Sequence, residues 1–242
     1  MSGHSKWSKV KHQKAQIDAV KGKLFTKAAS AIIIAVKEGG GIADPATNFK
    51  LRLAIEKARE VNTPKENIDR AIQKGKGQGG GAGLETVVYE AFGPRQTVMI
   101  IEGATDNHQR TTANLKNILD RGGGRLATRG AVKYLFDYIG EIAIAKEGKS
   151  YDDVMAWALD SYGEDVREED DRFVIETKPN LFHQALVGLG EKGANILSSD
   201  LVYKPKSEVR VESGDRDKVI SFLESIEDAD DIHKVHTNAV FS

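Results

Sequence analysis

Lys74-Gly75-Lys76-Gly77-Gln78-Gly79-Gly80-Gly81-Ala82-Gly83 divides this chain in two. Six glycines in ten residues lose too much backbone entropy on ordering to belong to a helix or strand, so 77–83 reads as a flexible linker. Before it, apolar residues recur at helical spacing; after it, they fall in short strand-like runs.

Upstream, Leu24, Phe25, Ala28, Ala29, Ile32, Ile33 and Val36 recur at intervals of three and four, which predicts one wide apolar helical face over 23–37, ended by Gly39-Gly40-Gly41. A second helix is expected over 46–60, with Phe49, Leu53 and Ile55 inward and Arg52, Lys57 and Arg59 in solvent. Thr63-Pro64-Lys65-Glu66 has the form of a capping box, with Thr63 as the cap, and should open a third helix that stops at Gly75. Residues 23–76 are therefore expected to form a small helical bundle, preceded by a basic arm over 1–22.

Downstream, strands at 86–89 and 97–101, a helix through Leu115, Ile118 and Leu119, and a strand at 132–136 read as ββαβ. Strands at 141–145, 172–176 and 195–203 then alternate with helices at 151–161 and 180–189, and Lys204-Pro205-Lys206 breaks the run. A last set, strand 208–212, helix 215–226 and strand 232–235, cannot bury two faces alone. It is expected to complete the ββαβ layer, so that 84–137 and 205–242 make one discontinuous α+β domain and 138–204 a second one inserted into it. The fold class is α+β, multidomain.

The net charge of −1 over 242 residues hides a polar division. Residues 1–76 carry 16 Lys and Arg against 7 Asp and Glu, whereas 77–242 carry 19 against 29. The arm holds Lys6, Trp7, Lys9, Lys11, His12 and Lys14 with no acid before Asp18. This is the charge pattern of a phosphate-backbone binder, with one aromatic ring free to stack on a base. The alternative is a solvated tail. Lys21, Lys23, Lys27, Arg52, Arg59, Lys65, Arg70, Lys74 and Lys76 extend the basic surface, Arg70 and Lys74 lying four apart and so on one helical face. Six phosphate contacts from the arm and first helix would give log K a slope of roughly −4 to −6 against log salt.

Two further places combine polar residues with turns. Thr105-Asp106-Asn107-His108-Gln109-Arg110-Thr111 sits where a strand ends and a helix begins, with Thr105 or Asp106 as the expected cap and Arg110 facing a polar or anionic partner. Gly122-Gly123-Gly124, bracketed by Arg121, Arg125 and Arg129, offers close backbone approach to RNA or is simply a helix stop and turn. No helix is read as carrying the Arg, Asn and Gln face that reads bases in the major groove.

The absence of cysteine excludes disulfides, cysteine-bound zinc and thiol nucleophiles. The longest apolar run, 28–36, is too short to span a bilayer, no secretory core follows the basic start, and the cytoplasm is the expected compartment. Catalytic groups are poorly represented. The acid run 164–171 reads as a solvated, self-repelling loop, not the converging carboxylates of a metal nuclease, and His233 and His236 point to opposite faces of a strand. The lysine after Gly75 is followed by glycine, which departs from a nucleotide-binding loop. No enzyme activity, cofactor or metal is expected.

Gly3-His4-Ser5-Lys6-Trp7 with Lys11-His12, Gly22-Lys23-Leu24-Phe25-Thr26-Lys27, Leu51-Arg52-Leu53-Ala54-Ile55, Pro64-Lys65-Glu66-Asn67-Ile68-Asp69-Arg70-Ala71-Ile72, Tyr89-Glu90-Ala91-Phe92-Gly93-Pro94 and the 105–111 and 122–130 segments closely resemble the YebC/PmpR family. The resemblance implies three domains and a cytoplasmic, non-enzymatic role in gene expression. Some members have been treated as DNA-binding transcriptional regulators. Others, including the mitochondrial translational activator of cytochrome c oxidase, are similar to ribosome-associated factors that help synthesis through proline-rich stretches. Where the family commonly has Gly-Pro-Gly-Gly, this chain has Gly93-Pro94-Arg95-Gln96, a bulkier and charged tip. The combined expectation is a monomeric factor that binds ribosomal RNA, or alternatively duplex DNA, through its basic third. Thr105, Asp106, Asn107, Arg110, Arg121 and Arg125 would face the functional centre.

Overall fold

The computed structural model describes residues 18–77 and 83–241, with side chains from residue 22 onward. Helices α1 (Asp18–Glu38), α2 (Phe49–Glu60) and α3 (Lys65–Gly75) pack around Ile32, Val36, Leu51, Ile55, Ala58 and Ile68. Gly75 is required where α3 crosses α1, because a Cβ there would stand 2.7 Å from that of Val36. The third helix opens one residue later than a Thr63 cap predicts. Pro64 is extended, with ψ 140°, and its carbonyl accepts from Asn67 and Ile68, so Pro64 itself occupies the cap position. Thr63 turns into the interior, where its hydroxyl finds no hydrogen-bond partner among the described residues.

Strands β1 (Glu85–Phe92), β2 (Val98–Thr105), β3 (Arg125–Leu126) and, far along the chain, β9 (Ile232–Thr237) form one antiparallel sheet in the order β3-β1-β2-β9. Helices α4 (His108–Arg121) and α7 (Ser213–Glu227) cover one face through Leu115, Leu119, Val219, Leu223 and Ile226. A short parallel pair, β8 (Val209–Val211) with β10 (Ala239–Phe241), adds Val211 and Phe241 to the same core, and β10 has no counterpart in the sequence expectation. Val98, Ile100, Val132, Phe136 and Tyr203 fill the other face. The uninterrupted apolar run Val98–Ile101 follows from this burial on both sides.

The chain leaves the first sheet through β4 (Phe136–Ala145), forms β5 (Gly163–Glu168) and β6 (Arg172–Thr177), and returns through β7 (Ile196–Pro205). These pair in the antiparallel order β5-β6-β4-β7, backed on one face by α5 (Tyr151–Asp160) and α6 (Phe182–Glu191). β4 and β7 pair from Phe136 with Pro205 to Ile144 with Ile196, a long ribbon whose near end carries Phe136 and Tyr203 into the first sheet's core.

Two segments depart from expectation for stated reasons. Residues 132–136 are a 3-10 turn (Lys133–Leu135) leading into β4, not a strand, because the Glu90 carboxylate takes the N–H groups of Gly130, Val132 and Lys133 at 2.5, 2.6 and 2.8 Å. Those donors are then lost to any ladder. The acid run is a loop only in its second half: Gly163–Glu168 is an edge strand with Val166 inward, while 169–171 is the turn into β6, with Asp170 and Asp171 exposed as expected and the Glu169 side chain fully enclosed between Arg167 and Arg172 at 3.6 and 3.7 Å. Glu164 pairs with Lys178 at 3.1 Å, Glu168 with Lys146 at 2.7 Å and Asp171 with Arg172 at 3.0 Å, so most of the run is charge-compensated, not self-repelling.

Glu90 and His233 give separable pH effects. Burial alone would raise the Glu90 carboxyl, but its three backbone donors hold it below the ordinary 4.5. Its contribution is therefore present above that value and lost as pH falls through the lower folded one. Glu90→Gln presents an amide N–H₂ to donors and should cost about 2 kcal/mol in urea unfolding at pH 7; a loss under about 0.5 kcal/mol would refute the assignment. His233 has an enclosed, unpartnered Nε2, and burial, then Lys27 of α1 and Lys234 of its own strand, push its imidazole down to about 4 against the pull of Glu102 and Asp231. Stability should then be full above the ordinary 6.5 and fall toward pH 4, by about 2 kcal/mol between pH 7 and 5. His233→Gln should flatten that interval; an equal fall in both proteins rules His233 out.

Candidate nucleic-acid interface

The helical unit divides its cations into two sets. Lys23 and Lys27 donate to the carbonyls of Asp228 and Glu227, at and just past the end of α7, so α1 supplies cations where that helix leaves carbonyls unbonded. Lys37 donates to the Leu84 carbonyl at 3.2 Å, Lys50 pairs with Glu38 and Lys57 with Asp200. Arg59, Lys65, Arg70, Lys74 and Lys76 are exposed and have no carboxylate partner among the described residues. Arg70 and Lys74 stand on the solvent face of α3, opposite Ile68 and Ala71. Arg52 is half-buried, its guanidinium 5.5 Å from the centre of the Phe49 ring. Lys6, Trp7, Lys9, Lys11, His12 and Lys14 lie outside the described residues, as does the side chain of Lys21 and the linker segment 78–82.

The 105–111 turn is built differently from its expectation. Asn107, not Thr105 or Asp106, caps α4, accepting the Arg110 N–H at 3.0 Å. Thr105 and Thr111 are buried and hydrogen-bonded to each other at 2.7 Å, which makes both structural. Arg110 is exposed but shared between Asp106 at 2.7 Å and Asp231 at 3.5 Å. Its charge is largely compensated in place.

Internal packing explains two of the three glycines of the next loop. A Cβ at Gly122 would stand 2.0 Å from the Phe222 ring and one at Gly124 2.8 Å from it, while Gly123 has φ +77°. The loop is thus a helix stop pressed onto a core aromatic. Around it Arg121 and Arg129 are exposed without an ion partner among the described residues, and Arg125 lies 4.7 Å from the Phe92 ring centre. The departure at 95–96 also has a structural answer. Arg95 and Gln96 adopt φ 58° and 61°, where glycine is favoured, and Asp215 holds the Arg95 guanidinium through two contacts of 2.8 Å.

The structure adds a polar stripe to the reading of the sequence. Arg110, Asn114, Asn117 and Arg121 are exposed on α4 at spacings of four, three and four, hence on one face about 16 Å long. With Arg110 held by Asp106 and Asp231, Asn114, Asn117 and Arg121 are the members of the stripe that face solvent without an ion partner among the described residues. Apolar periodicity drew the sequence reading to Leu115, Ile118 and Leu119 and passed over the complementary polar stripe.

Family models match nearly the whole chain: the N-terminal domain of the TACO1/YebC proteins over residues 5–78, and their second and third domains over 84–239. A probable transcriptional regulatory protein of Thermoanaerobacter pseudethanolicus is 43% identical over 239 residues, covering 98% of this chain and 96% of that protein. One from Dictyoglomus turgidum is 44% identical, covering 98% and 95%. The crystal structure of a conserved hypothetical protein of Aquifex aeolicus superposes with a TM-score of 0.81 at 34% identity, over 95% of this chain and 94% of that one. With both family models accounting for its helical and its α+β parts, this chain belongs to the TACO1/YebC family.

Proposed function

We propose that the protein is a non-enzymatic nucleic-acid-binding regulator of gene expression, and that its target is RNA on the ribosome, where it aids synthesis through proline-rich stretches. One observation carries the nucleic-acid part: Arg59, Lys65, Arg70, Lys74 and Lys76 are exposed and unneutralised among the described residues, in a chain whose first 17 residues are also basic in sequence, while neighbouring lysines are spent on internal contacts. Fold stability gives no reason for such a face, whereas a polyanion does. The relatives named probable transcriptional regulatory proteins support a regulatory role. The preference for RNA rests on contact type: cations reaching phosphates fix register without reading sequence, which suits a factor that works by position. The cytoplasm and a monomeric state complete the proposal.

The α4 face favours a second reading, a duplex-DNA-binding transcriptional regulator. Asn114, Asn117 and Arg121 offer the donors and acceptors that distinguish base pairs in the major groove. That reading requires a cognate site preferred over random DNA by about a thousandfold or more.

Competition at physiological salt separates the two. Labelled protein retained on ribosomes in excess random duplex DNA, and released by deletion of residues 1–17, supports the ribosomal reading; displacement by DNA returns the problem to transcription. Alanine at Arg70 and Lys74 together should lower affinity and reduce the slope of log K against log salt by about 1.4–1.8. An unchanged slope would remove α3 from the interface.

A further inference from the structure

At Arg59, α2 and the turn before it border an open depression of about 260 Å³ lined by Pro45, Ala46, Arg52, Ile55, Glu56 and Arg59. Its floor is apolar and its rim carries three charges. The two arginines are seven residues, nearly two turns, apart and so about 10 Å along the helix. Arg59 and Glu56 are exposed and have no ion partner among the described residues. Arg52 is held against Phe49, which is itself fixed by Phe182 at 5.8 Å and His183 at 4.4 Å between ring centres. Its guanidinium therefore loses little freedom on binding.

The order of charges along the helix, positive, negative, positive, limits what fits. A free phosphate or acidic peptide attracted to the arginines meets the acidic side chain of Glu56 between them, an acceptor facing an acceptor. A cation drawn to Glu56 meets two guanidiniums. An aliphatic group would strip water from all three charges and return no hydrogen bond. The arrangement is satisfied by a neutral planar ring with N–H donors on its edge and an anion on either side, which is a base in a nucleic-acid strand. The ring would lie on Pro45, Ala46 and Ile55, its donors on Glu56 and its flanking phosphates on Arg52 and Arg59. Only an unstacked base can enter such a hollow, as in a loop, bulge or single strand. Of the four bases of RNA, guanine presents two adjacent N–H donors that match the two oxygens of a carboxylate; uracil presents one.

We propose that this hollow binds a single unstacked guanine of single-stranded RNA, read by Glu56 and clamped by phosphate contacts at Arg52 and Arg59. The proposal rests on the nucleic-acid reading above and adds base selectivity to it. The test is fluorescence anisotropy with nine-nucleotide RNAs of uridine in which only the central base varies, using the full chain and Glu56→Ala, Arg52→Ala and Arg59→Ala. Urea unfolding would confirm that each variant is folded. The expected result is about a tenfold preference for central guanine over uracil, abolished by Glu56→Ala with uracil binding retained. Each arginine variant should weaken every oligonucleotide and reduce the salt slope by about 0.7. Binding without base preference, or a preference that survives Glu56→Ala, overturns the guanine site and leaves the nucleic-acid reading standing. No binding to these RNAs or to ribosomal RNA overturns both.

Discussion

Asp200 is the point at which the three packed parts of this molecule are tied together. It lies on β7 of the second sheet, and its carboxylate accepts from Lys57 of α2 and from Lys234 of β9, the last strand of the first sheet. Burial would raise its carboxyl, but the two ammonium groups hold it well below the usual carboxylate range. A carboxylate with two cations from different units costs more to break than an exposed pair, because removing any one member leaves partly desolvated charge behind. Phe49 and Leu53 pack beside it on the core of the second sheet, adding an apolar contact to the ionic one.

The two sheets are bound by a different device. β2 is covered on both faces, and what covers its second face is the extended ribbon of β4 and β7. His236 of β9 sits fully buried in this seam, its Nε2 2.7 Å from Glu102 and its Nδ1 3.4 Å from the Tyr203 N–H. A ribbon that must present Phe136 and Tyr203 to one sheet and Ile142 and Ile144 to the helices of the other leaves little latitude in register. Phe136 and Ile142 lie six residues apart on the same face of β4, so the inter-sheet geometry follows from position along the ribbon, its near end meeting the first sheet and its far end the helices of the second.

Much of this was legible from period and punctuation. The apolar repeat Leu24–Val36 and the glycines after it give the C-terminal end of α1 within one residue, but the helix begins at Asp18, five residues before the expected start and inside the expected arm, and the switch to alternating runs after the linker gives an α+β fold. What was not legible depended on partners distant in sequence. Val132–Phe136 has strand composition, yet Glu90, forty residues earlier, claims its N–H groups. Gly163–Glu168 has loop composition, yet it pairs with β6 as an edge strand, and in the turn that follows arginines at 167 and 172 draw Glu169 inward. The capping-box pattern at Thr63 and the strand-to-helix position of Thr105 mark both as caps, yet the caps fall one and two residues later, at Pro64 and Asn107, with both threonine side chains turned inside. Among the candidate contacts, charge counting identified the basic unit but could not separate a lysine that closes a helix end, such as Lys27, from one left free, such as Lys74.

That separation bears directly on how the interface would work. The inward cations Lys23, Lys27, Lys37 and Lys57 bind carbonyls or carboxylates of the α+β units, so they hold the helical bundle in place on its neighbours. The outward cations are carried on the bundle so held. Phosphate contacts from Arg59, Arg70 and Lys74 then require ordering of side chains but not of backbone, and counterion release is offset less by entropy than it would be for a wholly unfolded segment. The same anchoring fixes the position of the α4 polar stripe relative to the basic face, since Lys23 and Lys27 grip the end of α7, the helix that packs beside α4 on the first sheet. On the proposed reading, a polyanion engaged by the bundle would meet the α4 stripe in a fixed position, because the same inward cations that hold the bundle set the distance between the two surfaces.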